Sequence, residues 1–374
     1  MNRYIYWVWL RLQLDGDIKL MYALWKVAGS VERLYQADRV QLETWGVTPK
    51  HIKMLLDKSL RSAHNIFGLC EQFGFSLICI EDDDYPDSLR RLALPPCLLT
   101  YQGDLLSCLS GPSLTVIGTR YATASGEALA YDFANHLARA GFAIFCGVAE
   151  GIESAVHRAT VGADGKCVLL LPYGMLTVGK RVSSLIREVL PYGAVVSEWL
   201  PEERGGYDNY QIRNRLLSGF TCGTVIVQAP HKSGAMMTAG YALEQGKDVF
   251  VLPGGLRDPS FAGNNELLRD GATPAIEPGD IVRFYQSVWK DELQAVVVED
   301  DAFESVIQSV TEGVTFDDDV EKTVYSLISS DGITVDEIAQ HTGIPAHKVL
   351  SSITIMELKG WIAPLPGGKY KTII

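Results

Sequence analysis

Apolar positions along the chain change their spacing from segment to segment. Through residues 1–66 they recur at helical intervals. Leu20, Leu24 and Val27 share one face, Gly29-Ser30 interrupts it, and Val31, Leu34 and Tyr35 begin another. Leu42, Trp45 and the Gly46-Val47 turn lead on to Ile52, Leu55 and Leu56. Short helices joined by glycine turns predict a helical module, either SAM/helix-hairpin-helix-like or a cap packed on the next domain. The turns at Gly29 and Gly46 are poor in Lys and Arg, which disfavours a DNA-gripping hairpin. The apolar run Tyr4 to Leu14 is broken by Arg11 and followed by Asp15-Gly16-Asp17, the pattern of an amphipathic first helix rather than a signal peptide.

The second segment, 67–285, begins with a helix through Leu69 and Phe73 that stops at Gly74, then a short strand from Ser76 to Ile80. Asp82-Asp83-Asp84-Tyr85-Pro86 reads as a solvated turn, because adjacent aspartates rarely converge on one ion. From Leu114 onward short apolar runs alternate with helical ones. The predicted strands are Leu114–Ile117, Ala143–Cys146, Cys167–Leu171, Ala194–Ser197, Thr224–Val227 and Val249–Leu252, with helices over 125–140, 153–162, 180–190, 209–219 and 235–245. Ser125 is the expected N-cap of the first of these helices and Gly141 its left-handed terminator. This alternation predicts right-handed βαβ units and a doubly wound, Rossmann-like parallel α/β sheet. Its ligand edge, at the carboxyl ends of the strands, carries Gly118, Gly147, Gly174 and Gly254.

Acidic triplets near 300 and 318 flank a weakly patterned stretch, so 286–318 reads as an acidic linker. Residues 319–374 are patterned again. Val320, Val324, Leu327 and Ile328 make one helix, Thr334 and Glu337 a capping box for a second, and Pro345 opens a third that runs to Lys359. Two strands around Pro366-Gly367-Gly368 complete the outline of a winged helix. Its third helix is poor in cations, which predicts a protein-contact or weak accessory role rather than groove reading.

Composition changes this picture little. The 374 residues are 47% hydrophobic and 21% charged, as in ordinary globular chains. A net charge of -12 argues against a broad basic surface but leaves room for a local basic groove. Seven scattered cysteines without a CxxC pair fit reduced thiols in the cytoplasm better than disulfides or zinc. No apolar stretch reaches membrane-spanning length.

Candidate chemistry gathers at three places. Leu114-Thr115-Val116-Ile117-Gly118-Thr119-Arg120 is a strand running into a glycine turn before a helix, the usual geometry for holding phosphate. Neither GxxxxGK[ST] nor GxGxxG is present, which disfavours a P-loop NTPase and a dinucleotide enzyme. Gly147 to Glu153 is a second small-residue turn, with His157 expected to tie its helix to a loop by hydrogen bonds. Tyr210-Gln211-Ile212-Arg213-Asn214-Arg215 offers two guanidinium groups and an aromatic face, and Lys232-Ser233-Gly234 follows one strand later.

Taken in order, Gly118-Thr119-Arg120 with Thr123, Gly147 with Gly151, His157, Arg213-Asn214-Arg215, Ser233-Gly234 with Thr238, Glu244-Gln245-Gly246, Pro253-Gly254 and Asp270-Gly271-Ala272 resemble the DNA-processing protein A (DprA/Smf) family over roughly 80–285. The resemblance implies a non-enzymatic single-stranded DNA binder, without cofactor or metal. Such a protein protects incoming strands in natural transformation and loads RecA, as a homodimer. It also implies a DNA site made of Gly118, Thr119, Arg120, Thr123, Gly147, Gly151, Tyr210, Arg213, Asn214, Arg215, Ser233, Gly234, Thr238, Lys247 and Gly254. Where the family usually has Arg-Gly-Ile-Asp, this chain has Glu150-Gly151-Ile152-Glu153, which puts an anion at the expected groove. Two other classes stay open: a nucleotide-processing enzyme related to phosphoribohydrolases, with Glu150 and Glu153 as an acid/base pair, and a nucleotide-binding module. Pro253-Gly254-Gly255 lacks the GTxxE continuation of the former.

Overall fold

Among the described residues six helices precede the first strand: α1 (Tyr4–Gln13), α2 (Ile18–Ala28), α3 (Val31–Gln36), α4 (Arg39–Thr44), α5 (Pro49–Leu55) and α6 (Arg61–Phe73). The computed structural model describes residues 3–294, 319–328, 332–358, 361–365 and 368–372. The expected acidic linker therefore lies, from 295 on, outside the described residues, as do Lys359 and the Pro366-Gly367 turn. The chain divides into two compact units, Met1–Val297 and Val298–Ile374.

α1 departs from the amphipathic expectation. Ile5, Trp7, Val8, Trp9, Leu10 and Arg11 are all buried. The helix is clasped by α3, α5 and α6 and also by the first strands of the sheet, so little of it is left to face water. Arg11 is tolerated there because its guanidinium grips Glu203, with Nη2 to Oε2 at 2.7 Å. Asp82, in the aspartate turn, accepts from Cys79 N–H and Tyr4 Oη, which fixes the turn against α1.

The rest of the first unit alternates strictly. The order is β1 (Ser76–Cys79), α7 (Asp87–Arg90), β2 (Leu98–Gly103), α8 (Leu105–Leu109), β3 (Ser113–Ile117), α9 (Ala124–Arg139), β4 (Ala143–Cys146) and α10 (Ile152–Gly162). Then come β5 (Cys167–Leu171), α11 (Lys180–Val189), β6 (Gly193–Ser197), α12 (Tyr207–Phe220), β7 (Gly223–Ile226), α13 (Gly234–Glu244), β8 (Asp248–Val251), α14 (Ala262–Arg269), β9 (Thr273–Pro274) and α15 (Pro278–Tyr285). The sheet order is β1-β2-β6-β5-β4-β3-β7-β8-β9. From β6 to β9 every pair is parallel, while β1 and β2 form an antiparallel edge. The sheet is thus the predicted doubly wound one, extended by a hairpin.

Side chains along the central strands alternate between two cores, as the pleat requires. Leu114 and Val116 of β3, with Ile144 and Cys146 of β4, face α9, α10 and α11. Ile117, Phe145, Val168 and Leu170 face α12, α13 and the N-terminal helices. The helices before β1 therefore share one apolar core with the sheet. Thr115 stands among these apolar residues because its Oγ1 donates to the Leu217 carbonyl at 2.7 Å, pinning β3 to α12.

In the second unit the described elements are α16 (Asp319–Leu327), β10 (Ile333–Thr334), α17 (Val335–Thr342), α18 (Ala346–Leu358), β11 (Ile362–Leu365) and β12 (Lys369–Thr372). The strand order is β10-β12-β11, around Val324, Ile338, Val349, Ile353 and Met356. The predicted capping box is present on α17: the Thr334 side chain accepts from Glu337 N–H, and the Glu337 side chain accepts from Thr334 N–H. This is a winged helix.

Candidate nucleic-acid interface

Strand order reverses direction at β3. β4, β5 and β6 lie on one side of it, β7, β8 and β9 on the other. The loops after β3 and β7 must diverge there, which leaves a crevice at their carboxyl ends. A groove of about 580 Å³ fills it.

The β3 loop is held by its neighbours. Thr119 N–H donates to the Gln228 carbonyl at 2.7 Å, and Ile152 N–H donates to the Thr119 carbonyl at 3.2 Å. Gly151 has φ +70°, and a Cβ there would lie 2.6 Å from the Thr119 and Arg120 carbonyls, so the glycine is required beneath this loop. The N-cap of α9 is Thr123 rather than Ser125: its Oγ1 accepts from Gly126 N–H at 3.0 Å. The Gln228 side chain completes the clamp, accepting from Thr123 N–H and donating to Thr123 Oγ1, both at 2.9 Å. Gln228 is a residue that the sequence reading missed. A polar side chain closing the run Thr224-Val225-Ile226-Val227 was its signal.

On the rim, the Arg120 guanidinium lies 5.1 Å from the centre of the Tyr210 ring, a cation–π contact from the β3 loop to α12. Arg213, one turn further, is buried, yet its Nε and Nη1 have no hydrogen-bond partner among the described residues. It reaches the floor because Gly147 has no side chain; a Cβ there would overlap the guanidinium. Glu153 abuts the same glycine, but its Oε2 accepts from Ala149 N–H at 2.7 Å. Across the groove Ser233 precedes α13 without capping it, and its buried Oγ is unpartnered among the described residues. Met236 N–H already donates to the Ser233 carbonyl at 3.2 Å, and no side-chain cap competes with an anion for the N–H groups before it.

Gly118, Thr119, Arg120, Tyr210, Arg213, Asn214, Ser233, Gly234 and Thr238 all line this groove. Thr123, Gly147 and Gly151 support it from behind. Three expected site residues are elsewhere. Arg215 is buried on the other side of α12, with Nη2 at 2.6 and 2.7 Å from the Glu198 carboxylate. Lys247 lines a separate cavity with it. Gly254 packs beneath Phe261. Tyr121 and His231 line the groove without having been anticipated. Its cations Arg120, Arg213 and Lys232 face one carboxylate, Glu153, so the groove is locally positive despite the acidic total.

Glu150 does not enter the groove. It is exposed and lies 3.7 Å from Arg181 on α11. Glu150 and Glu153 thus occupy unlike environments and do not face a common substrate position. Among the described residues no cluster of His, Cys, Asp and Glu is arranged to hold a metal. All seven cysteines are free thiols, and among the described residues no helix is long and apolar enough to cross a membrane.

His157 on α10 differs from its expected bonding role. It is buried and its Nε2 has no partner among the described residues. Burial first, then Arg158 and Arg181, pull its pKa from 6.5 down to about 4. The unfolded chain therefore binds the proton that the folded chain refuses. Above 6.5 the group has no effect, and stability falls as pH drops from 6.5 toward 4. The loss expected at about pH 5 is about 2 kcal/mol. Urea unfolding of wild type and His157→Gln across this range checks it: the variant should lose that part of the pH slope, and equal slopes refute it.

Fold and site together define a doubly wound α/β protein with guanidinium groups at its switch-point crevice, joined in one chain to a winged helix. Residues 76–286 match the family model described as DNA recombination-mediator protein A, and residues 315–368 match the DprA winged helix domain. The chain belongs to the DprA/Smf family. Protein Smf of Escherichia coli is 31% identical, covering 96% of this chain and 94% of its own. DNA processing protein DprA of Bacillus subtilis is 32% identical over 56% of this chain and 70% of its own. Among solved structures, DprA from Streptococcus pneumoniae shares the fold at TM-score 0.65, with 23% identity over 76% of this chain and 98% of that one. DprA from Helicobacter pylori, described for its single-stranded DNA binding mode, matches at TM-score 0.52 and 27% identity, over 57% of this chain and 97% of that one.

Proposed function

We propose that this chain binds single-stranded DNA in the β3/β7 groove and acts without catalysing a reaction. One observation carries the reading: Arg213 is buried on the groove floor with two nitrogens that lack acceptors among the described residues, a state that a phosphate oxygen relieves. Arg120 and the α13 N-terminus take neighbouring phosphates, and Tyr210 offers a ring face to a base. Kinship to the Helicobacter pylori protein, named for single-stranded DNA binding, supports the same ligand. Family membership supports the wider role in this reading: protection of incoming strands in transformation and delivery of RecA, by a homodimer. The four-part division at 66, 285 and 318 belongs to this proposal, with its first boundary moved to the end of α6, which runs unbroken across 66, and with the winged helix as an accessory contact domain.

Anisotropy titration with labelled oligo(dT), against duplex competitor and across salt, tests the reading. Single strands should win. Arg120→Ala should weaken binding to all sequences and lower the salt slope by about 0.7, the value for one phosphate contact on a single strand. Binding unchanged in Arg120→Ala across the titration removes Arg120 from the site, and preference for duplex overturns the function.

A further inference from the structure

The cavity that holds Arg215 and Lys247 is larger than the groove, about 1150 Å³. It lies on the other side of α12, walled by the α1–α2 turn, α7 and the end of α13. Of its four cations only Arg215 has an ion-pair partner among the described residues, although Glu198 and three rim carboxylates balance the total charge. Arg215 gives Nη2 to Glu198, but its Nε and Nη1 have no partner among the described residues. Lys19, Arg91 and Lys247 have no ion pair among the described residues. Lys247 is half-buried, and burial, with Arg91 adding to it, lowers its pKa. Gln245 donates to the Arg215 carbonyl at 2.9 Å, leaving its Oε1 without a partner among the described residues. Three carboxylates share the rim. Asp17 is committed to Leu20 N–H at 3.0 Å as the cap of α2, and Asp208 and Glu244 are exposed.

Gln211, on the first half of α12, lines both this cavity and the groove, so the two spaces adjoin at that side chain. We propose that the second cavity receives backbone phosphates of the same single strand, which leaves the groove, crosses Gln211 and meets Arg91, Lys247 and Arg215. This rests on the groove being the DNA site. A strand fits better than a lone phosphate, because the cations are spread over four chain segments around a volume far larger than one anion. The DNA footprint is then longer than the groove alone accounts for, and the helical N-terminal region forms one bank of it.

The test compares an oligo(dT) of about six nucleotides with one of about twenty, spanning the usual range of site sizes. Arg91→Ala/Lys247→Gln should bind the short oligonucleotide as wild type does. It should bind the long one roughly tenfold more weakly, with a salt slope lower by about 1.4, two single-strand phosphate contacts. Arg91→Ala alone, at an exposed position that leaves the fold intact, should show about half of each effect. Wild-type affinity and slope for the long oligonucleotide, or equal losses for both lengths, overturn the path. Thymidine monophosphate is the other arm: if it stabilises wild type but not the double variant against heat, while long-strand binding is unchanged, the cavity is a small-ligand site and the path is wrong. Failure of the groove itself is separately visible, as unchanged binding of either length by Arg213→Ala.

Discussion

Arg213→Ala is expected to lower single-stranded DNA affinity on the order of 100-fold while leaving thermal stability within a few degrees of wild type. Both halves follow from the same geometry. A buried guanidinium with Nε and Nη1 unpartnered among the described residues is costly to the folded protein, because desolvation is not repaid by hydrogen bonds. Removing it relieves that cost and leaves Glu153 still bonded to Ala149 N–H. In the complex the same nitrogens donate to phosphate oxygen, and charge-assisted bonds of this kind contribute about 2–3 kcal/mol, hence the fold-change. Arg213→Lys should recover part of the affinity, since it restores charge but not the planar fork. Anisotropy and melting curves on the three proteins decide it. A large drop in melting temperature with modest loss of binding makes Arg213 structural and sinks its assigned role.

The parallel sheet was legible because strand and helix periods alternate cleanly from Leu114 to Leu252. Of the antiparallel edge only β1 is legible, as the short strand expected from Ser76 to Ile80. β2, Leu98–Gly103, follows directly on Pro95-Pro96-Cys97, and prolines at the start of a run disguise a strand that tolerates them only at its edge. α1 reads as amphipathic because Arg11 interrupts its apolar run, yet the charge that satisfies Arg11 is Glu203, 192 residues away. Long-range pairing of that kind leaves no local trace. The groove itself was largely readable, since glycines and hydroxyls after strands announce the ligand edge of such a sheet. Arg213 and Arg215 lie within the helix predicted over 209–219 and so cannot share one site. Two residues advance about 200° around a helix, so the pair must face opposite ways. Gln228 and Glu150 show the converse limit: their roles depend on which loop they meet, and sequence adjacency does not say.

Glu198→Ala is expected to be the most destabilising single change of those that spare the groove. Glu198 follows β6 and is almost wholly buried, and both its oxygens accept from Arg215 Nη2, at 2.6 and 2.7 Å. Alone, a buried ion pair is weak evidence of stability, because desolvating two charges offsets their attraction. Breaking one is different. Truncating Glu198 leaves Arg215 buried with its three guanidinium nitrogens short of acceptors, a loss of about 3–5 kcal/mol. For a unit of this size that corresponds to a melting-temperature drop on the order of 5 to 10 °C. Glu198→Gln keeps one acceptor and should lose less. Glu198→Leu/Arg215→Met removes both charges and should recover most of the loss, since no unpaired ion remains in the interior. Calorimetry on the three variants reads the order directly. If the double variant is as unstable as Glu198→Ala, the penalty lies in the shape of the site, not in an orphaned charge. Arg215 would then be a packing residue, with no unmet demand for an anion on that side of α12.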